Sequence, residues 1–314
     1  MEEKLNVLMI GNGVNRAFGK TSWNALIDMI KTRDDINAEQ LQSPMPLKAI
    51  LLSNNKIDEQ LKNVNQNSQE ILYGIVESEE QTKMLRQILT IGFDHILTTN
   101  YSYELEMASL GQISISKKQL LNMSTHTPQI KRVEAKFLLH SYNEVVCEEA
   151  NNKIWHIHGE SRKPESVILG HYNYGSLMYK MKDYMDKRGK IYRNKEKTNE
   201  IIDIESWLDA FVLGDVYVIG FRYDLSEFDL WWLLNRKARE KVNHGKVYFY
   251  EPEPMFFDER LELLKALDVQ VEHLGMKLTD YKEENGHIYK EFYKKALNEI
   301  DIKIKTGSKS LVLT

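Results

Sequence analysis

Short apolar runs alternate with longer amphipathic stretches along most of this chain. Leu5–Ile10, Phe93–Thr98, Val216–Ile219, Lys246–Tyr250 and Val269–Leu274 are of strand length and mostly apolar, the pattern of strands buried on both faces. Between them apolar residues recur at helical spacing. Trp23, Leu26, Ile27 and Ile30 form one such stripe, and Leu230, Trp231, Leu233 and Leu234 another. Residues 69–90, Pro254–Leu267 and His287–Ile300 carry the same period. Strands alternating with helices predict an α/β fold, a parallel sheet with helices on both faces.

The remaining segments fit less regularly. Residues 53–68 are polar and Asn-rich and predict an exposed helix and loop; residues 111–132 are polar and basic and read as peripheral. Val133–Val146 contains strand candidates, and Lys153–His158 with Val167–Leu169 reads as two strands around a turn. The charge run within 173–200 predicts a solvated helical excursion. Thr21 and Ser22 are N-cap candidates, Tyr101–Leu105 starts a helix, and Ser226 with Asp229 has capping-box spacing. There is no internal repeat. The expected organisation is one domain over 1–304 with helical insertions at about 31–90 and 173–205, and a frayed tail over 305–314.

Composition narrows the class. At 314 residues, 42% hydrophobic, the chain can bury one large elaborated domain. A net charge of −4 argues against non-specific nucleic-acid binding. Cys147, the single cysteine, excludes an internal disulfide and a multi-cysteine zinc site, and fits a reducing cytoplasm. The N-terminus lacks the features of a signal peptide, and no apolar run has the length of a membrane helix. A soluble cytoplasmic protein is expected.

Three segments carry candidate chemistry. Gly11-Asn12-Gly13 stands where a strand hands over to a helix. Gly11 permits a tight turn, Gly13 allows a diphosphate to approach the backbone, and Arg16 adds a cation. The third glycine of the dinucleotide fingerprint is missing, so a plain turn is the alternative. Thr98-Thr99-Asn100 ends a strand, where α/β sheets bind ligands. The Asn100 amide would hold a ribose hydroxyl or a water, or simply cap a helix. His156 and His158 are spaced to share one strand face, with no third metal ligand nearby, so no metal is expected. His158, before Gly159, is the candidate general base, and His156 a neighbour that shapes the pocket. A second strand-to-helix turn, Gly220-Phe221-Arg222, would close over the adenosine half of a dinucleotide. There Arg222 would meet a phosphate or pair with Glu227.

In this order the motifs resemble the SIR2-like domain of bacteria and archaea, a divergent branch of the sirtuin fold. The similarity spans roughly residues 5–275 and is carried by Gly11-Asn12-Gly13-Val14-Asn15, Leu97-Thr98-Thr99-Asn100-Tyr101, Ile154-Trp155-His156-Ile157-His158-Gly159, Val167-Ile168-Leu169-Gly170-His171-Tyr172 and Gly214-Asp215-Val216-Tyr217-Val218-Ile219-Gly220. The resemblance implies a Rossmann-like NAD-binding domain with an inserted smaller helical module. It implies Asn100 and His158 as catalytic residues, and Gly11, Asn12, Gly13, Asn15, Arg16, Thr99, Gly220, Phe221 and Arg222 as the groups that hold NAD⁺. It further implies hydrolysis of NAD⁺ to nicotinamide and ADP-ribose in anti-phage defence, by a homo-oligomer or with a separate sensor protein. No membrane and no nucleic acid are expected as partners. The chain departs from deacylating sirtuins in two respects. One cysteine cannot build their four-cysteine zinc module, and Arg222 stands where they have small polar residues. An NAD⁺ glycohydrolase is therefore the leading expectation, with an NAD-dependent deacylase and a non-catalytic module for NAD⁺ or ADP-ribose as alternatives.

Overall fold

The computed structural model describes residues 5–19, 23–37, 40–67, 78–111, 129–136, 138–198, 202–240, 245–278 and 286–309. Expectations for Thr21, Ser22, 69–77, 112–128 and the last residues of the tail lie outside them.

The strands are β1 (Asn6–Ile10), β2 (His95–Thr98), β3 (Ile130–Val133), β4 (Tyr142–Cys147), β5 (Ala150–His156), β6 (Asp215–Ile219), β7 (Val247–Tyr250) and β8 (Val269–Glu272). They form one eight-stranded sheet in the order β3-β4-β5-β2-β1-β6-β7-β8. From β5 to β8 all pairs are parallel; β3 and β4 extend the β5 edge antiparallel. Among the parallel strands this is the Rossmann order, so strand order reverses at β1.

Alternation within each strand divides the core. In β1, Leu8 and Ile10 face one layer while Val7 and Met9 face the other. The first layer holds α5 (Glu79–Thr90), α6 (Glu104–Ser109) and α11 (Gly286–Lys309), which contribute Leu85, Met107 and Leu297. The second holds α7 (His171–Thr198), α8 (Trp207–Leu213), α9 (Phe228–Arg239) and α10 (Glu259–Ala266), which contribute Met181, Phe211, Leu233 and Leu264. A separate cluster joins α2 (Trp23–Ile30), α3 (Met45–Leu52) and α4 (Ile57–Asn67) around Ile27, Leu52 and Leu61. This is the smaller helical module, and it packs on Tyr101, Val167 and Leu169.

Several local expectations are corrected. The described part of the 173–200 excursion lies on one long helix, His171–Thr198, with a buried face made by Tyr174, Leu177, Met181, Met185, Arg188 and Tyr192. Arg188 reaches Asp209 of α8 through Nε at 3.0 Å and Nη2 at 3.2 Å. Its polar head is therefore paired, and burial costs little. Val167–Leu169 is not a strand. It is an irregular stretch held by the bond from the Ile168 amide to the His158 carbonyl, 2.8 Å. The helix foreseen over Pro254–Leu267 begins only at Glu259, behind an Asp258 cap, and α11 continues past Ile300 to Lys309.

The capping box foreseen at Ser226 and Asp229 does not form: Glu227 is the N-cap of α9, and Ser226 instead bonds Asp224. A true box, Ser206 with Asp209, opens α8. Buried Lys237 of α9 ties these two helices, donating to the carbonyls of Phe211, Val212 and Gly214 at 2.8–2.9 Å. That anchor fixes the last turn of α9 against the end of α8, beside the start of β6.

At the order reversal the turns after β1 and β6 touch. The Gly13 amide donates to the Gly220 carbonyl, 2.8 Å, and a Cβ on Gly13 would lie 2.6 Å from that oxygen. Gly13→Ala must push the two turns apart. It should cost about 1–3 kcal/mol, seen as a lower urea midpoint with an unchanged slope.

Candidate active site

The carboxyl ends of five strands share one row: Ile10 is level with Thr98 and Ile219, Thr98 with His156, and Ile219 with Tyr250. The turns beyond this row enclose a cavity of about 870 Å³, within the ~300–1,000 Å³ range of small-molecule sites. His158, Tyr101, Tyr174 and Glu227 stand in its wall, as do Glu251 after β7, Asp258 at the start of α10 and Tyr289 of α11.

Of the residues expected to hold a dinucleotide, Asn12, Gly13, Arg16, Thr99, Gly220, Phe221 and Arg222 line the cavity. Three expectations need correction. Gly11 and Gly13 are required by contact with the β6 turn, and the Gly13 amide is already spent on Gly220. Asn15 is 2% exposed and accepts from Gln81 of α5 at 3.1 Å, so it points into the core. Arg222 does not pair with Glu227. Its guanidinium is exposed at the cavity wall and acts on Glu251 and Asp258, while Glu227 accepts from Tyr174 at 2.8 Å.

The two histidines part company. β5 ends at His156, so the alternation that would place both rings on one face stops there. His158 is 1% exposed, and its Nε2 lies 2.8 Å from Asp229 Oδ2 in the first turn of α9. A carboxylate accepts, so Nε2 carries the proton and Nδ1 is the free ring nitrogen, 3.8 Å from Glu227 Oε2. Tyr174 packs edge-on against the ring at 5.7 Å. Burial opposes the imidazolium, but the charge and hydrogen bond of Asp229 outweigh it and raise the His158 pKa. Burial also raises the Glu227 pKa, against the opposing charge of His158. Gly159 follows with φ +95°, and a Cβ there would meet the Ser166 carbonyl at 2.2 Å, so only glycine lets the chain turn after this imidazole.

His156 instead bonds the Asn100 carbonyl through Nδ1, 2.8 Å, and Glu106 through Nε2, 3.1 Å. It does not line the cavity itself; it bonds the loop between the lining residues Thr99 and Tyr101. Asn100 is not itself among the lining residues; it lies between Thr99 and Tyr101, which are, and its side-chain oxygen is buried without a hydrogen-bond partner.

Asp229 is a residue of the candidate site that local spacing concealed. It is 0% exposed, and its second oxygen, Oδ1, has no hydrogen-bond partner. With Glu227 it brings carboxylate oxygens within 4.8 Å of a His158 nitrogen, a distance that fits a cation, although each ring nitrogen already faces a carboxylate.

Both imidazoles are more basic folded than free. Their protonation therefore stabilises the fold fully below about pH 6.5, the unfolded value, and that contribution is lost as pH rises through the folded values. In Asp229→Asn the carboxylate that sustains His158 is gone while burial remains. The His158 midpoint should fall below that of the wild type in a histidine NMR titration.

The SIR2-like domain matches residues 94–270, more than half of the chain, from the start of β2 into β8. The matched stretch contains Asn100, His158, Gly220, Glu227 and Asp229; the turn at Gly11 precedes it. SIR2-like domains use NAD⁺, and the match is compatible with NAD-dependent enzymatic activity. A search of curated proteins finds no match. With the Rossmann strand order and a cavity at the switch point, that match shows that the chain belongs to the SIR2-like domain family.

Proposed function

We propose that this protein is an NAD⁺ glycohydrolase whose active site is built by His158, Asp229 and Asn100. The observation that carries the reading is the His158–Asp229 pair: an imidazole in the cavity wall, held through Nε2 by a buried carboxylate, with Nδ1 left free. That is the arrangement of a histidine base oriented by an acid. In the reaction the bond from ribose C1′ to the pyridinium nitrogen breaks and its electron pair leaves with neutral nicotinamide. Water supplies the new C1′–O bond, and its proton passes to His158 Nδ1. A neutral leaving group needs no acid; the enzyme supplies positioning and a base.

The unpartnered oxygen of Asn100 is the acceptor for a ribose hydroxyl or for the water. Asn12, Arg16 and the Gly220–Arg222 turn hold the diphosphate and the adenosine half. Resemblance to defence proteins supports a role in depleting cellular NAD⁺ during phage infection, in the cytoplasm, by a homo-oligomer or with a separate activator. Among the described residues no helix is long and apolar enough to cross a membrane.

Incubation with NAD⁺ at several protein concentrations should release nicotinamide and ADP-ribose. His158→Ala and Asn100→Ala should lower kcat at least ~10²-fold while leaving the far-UV circular dichroism unchanged. Because the base must be neutral and its pKa is raised, the acid limb of kcat should lie above about pH 6.5. Tight NAD⁺ binding without turnover would make the protein a binding module. Turnover that requires an acylated peptide would make it a deacylase.

A further inference from the structure

We propose that His156 is a positioning residue for Asn100: an imidazolium that donates one ring N–H to the Asn100 carbonyl and the other to Glu106, fixing the loop that carries the amide. Its kinetic consequence rests on the glycohydrolase reading; its structural consequence does not.

The charge state follows from the partners. A carbonyl oxygen can only accept, so Nδ1, 2.8 Å from Asn100 O, bears a proton. Nε2 stands 3.1 Å from Glu106 Oε1. Burial works against the Glu106 carboxylate, yet His156 and Asn143 more than compensate and hold its pKa below the ordinary range. An ionised carboxylate accepts too, so Nε2 must also donate. A neutral imidazole has one N–H and would have to release either Asn100 or Glu106.

The surroundings are built to keep that cation. His156 is 2% exposed and Glu106 1% exposed, so neither charge is stabilised by water. Asn143 of β4 donates to Glu106 at 2.9 Å. The Tyr103 ring lies 5.0 Å from the imidazole, and its hydroxyl donates to Glu160 at 2.7 Å. Glu160 adds a second negative charge that favours His156 protonation and is itself paired with Arg132, 2.5 Å, which also reaches Asn143. Arg162 stands 3.8 Å from the other Glu160 oxygen. A buried ion pair this fully hydrogen-bonded is costly to break from one side.

Its effect is concentrated on one residue. The Asn100 amide N–H donates to Thr98 Oγ1 at 3.1 Å, and the Asn100 carbonyl accepts from His156 Nδ1. Both backbone groups are committed, which fixes the place of Asn100 in the loop, and its side-chain oxygen is buried and unmet there. An unmet buried acceptor costs stability, and here it is kept ready for a ligand group rather than filled by the protein.

The test uses NMR and kinetics on the full chain with Glu106→Gln, which keeps an acceptor for Nε2 but removes the charge, and with His156→Phe, which keeps a ring without donors. In the wild type both ring N–H groups should persist between about pH 5 and 8. In Glu106→Gln the ring should titrate in that window, and the Asn100 backbone amide resonance should move with the same midpoint. kcat for NAD⁺ should fall as pH rises through it, by up to ~10²-fold, with KM changing little; His156→Phe should show that loss at every pH. A singly protonated His156 in the wild type at neutral pH overturns the proposal. So does a Glu106→Gln protein that loses thermal stability but keeps the wild-type pH profile and a fixed Asn100 resonance. If the wild type hydrolyses no NAD⁺, the glycohydrolase reading falls, and the coupling of the Asn100 resonance to the His156 titration decides this inference.

Discussion

The carbonyl of Gly220 occupies the space that a side chain at Gly11 or Gly13 would need. That contact between two strand-to-helix turns is the constraint on which the rest of the site depends. It holds the ends of β1 and β6 together where the strand order reverses, and the neighbouring turns splay to either side. The cavity is what the sheet leaves open above this seam. The glycines serve first to let two backbones meet, and only through that to shape a binding site.

Around the seam two histidines of one segment are put to different uses by their partners. His158 has one hydrogen-bonded carboxylate and a free nitrogen, a combination that can exchange a proton with a ligand. His156 has both nitrogens engaged by acceptors, a combination that cannot exchange a proton without breaking a bond it makes. Desolvation acts on both alike, and the opposing charges decide the outcome. The same residue type two positions apart thus sits in two settings, one with a ring nitrogen to spare and one with none.

The parallel strands were legible because burial on both faces leaves near-continuous apolar runs, and β1, β2, β6, β7 and β8 appear close to the segments expected. α7 was less so: its buried face includes Arg188 and Tyr192, whose polar ends are satisfied by Asp209 on another helix, so counting charges suggests solvent where there is core. Val167–Leu169 misleads in the opposite sense. It is apolar because it packs under the small helical module, not because it joins a ladder. In the site, Asn100 and His158 could be found from strand ends and glycine. Asp229 could not, since its local spacing fits a helix cap and its true partner is 71 residues away. Asn15 failed for the same reason, its partner Gln81 being 66 residues distant.

The pairing of β1 with β6 joins Asn6–Ile10 to Asp215–Ile219, and β2 to β5 lie between them in the sequence. During synthesis β1 must therefore wait for its second neighbour until most of the chain has been made. The helix that delivers Asp229 comes later still. A nascent chain on the ribosome holds Asn100 and His158 long before it holds the carboxylate that orients the imidazole or the turn that closes the cavity. The strand order thus leaves the site incomplete until β6 and α9 have been made.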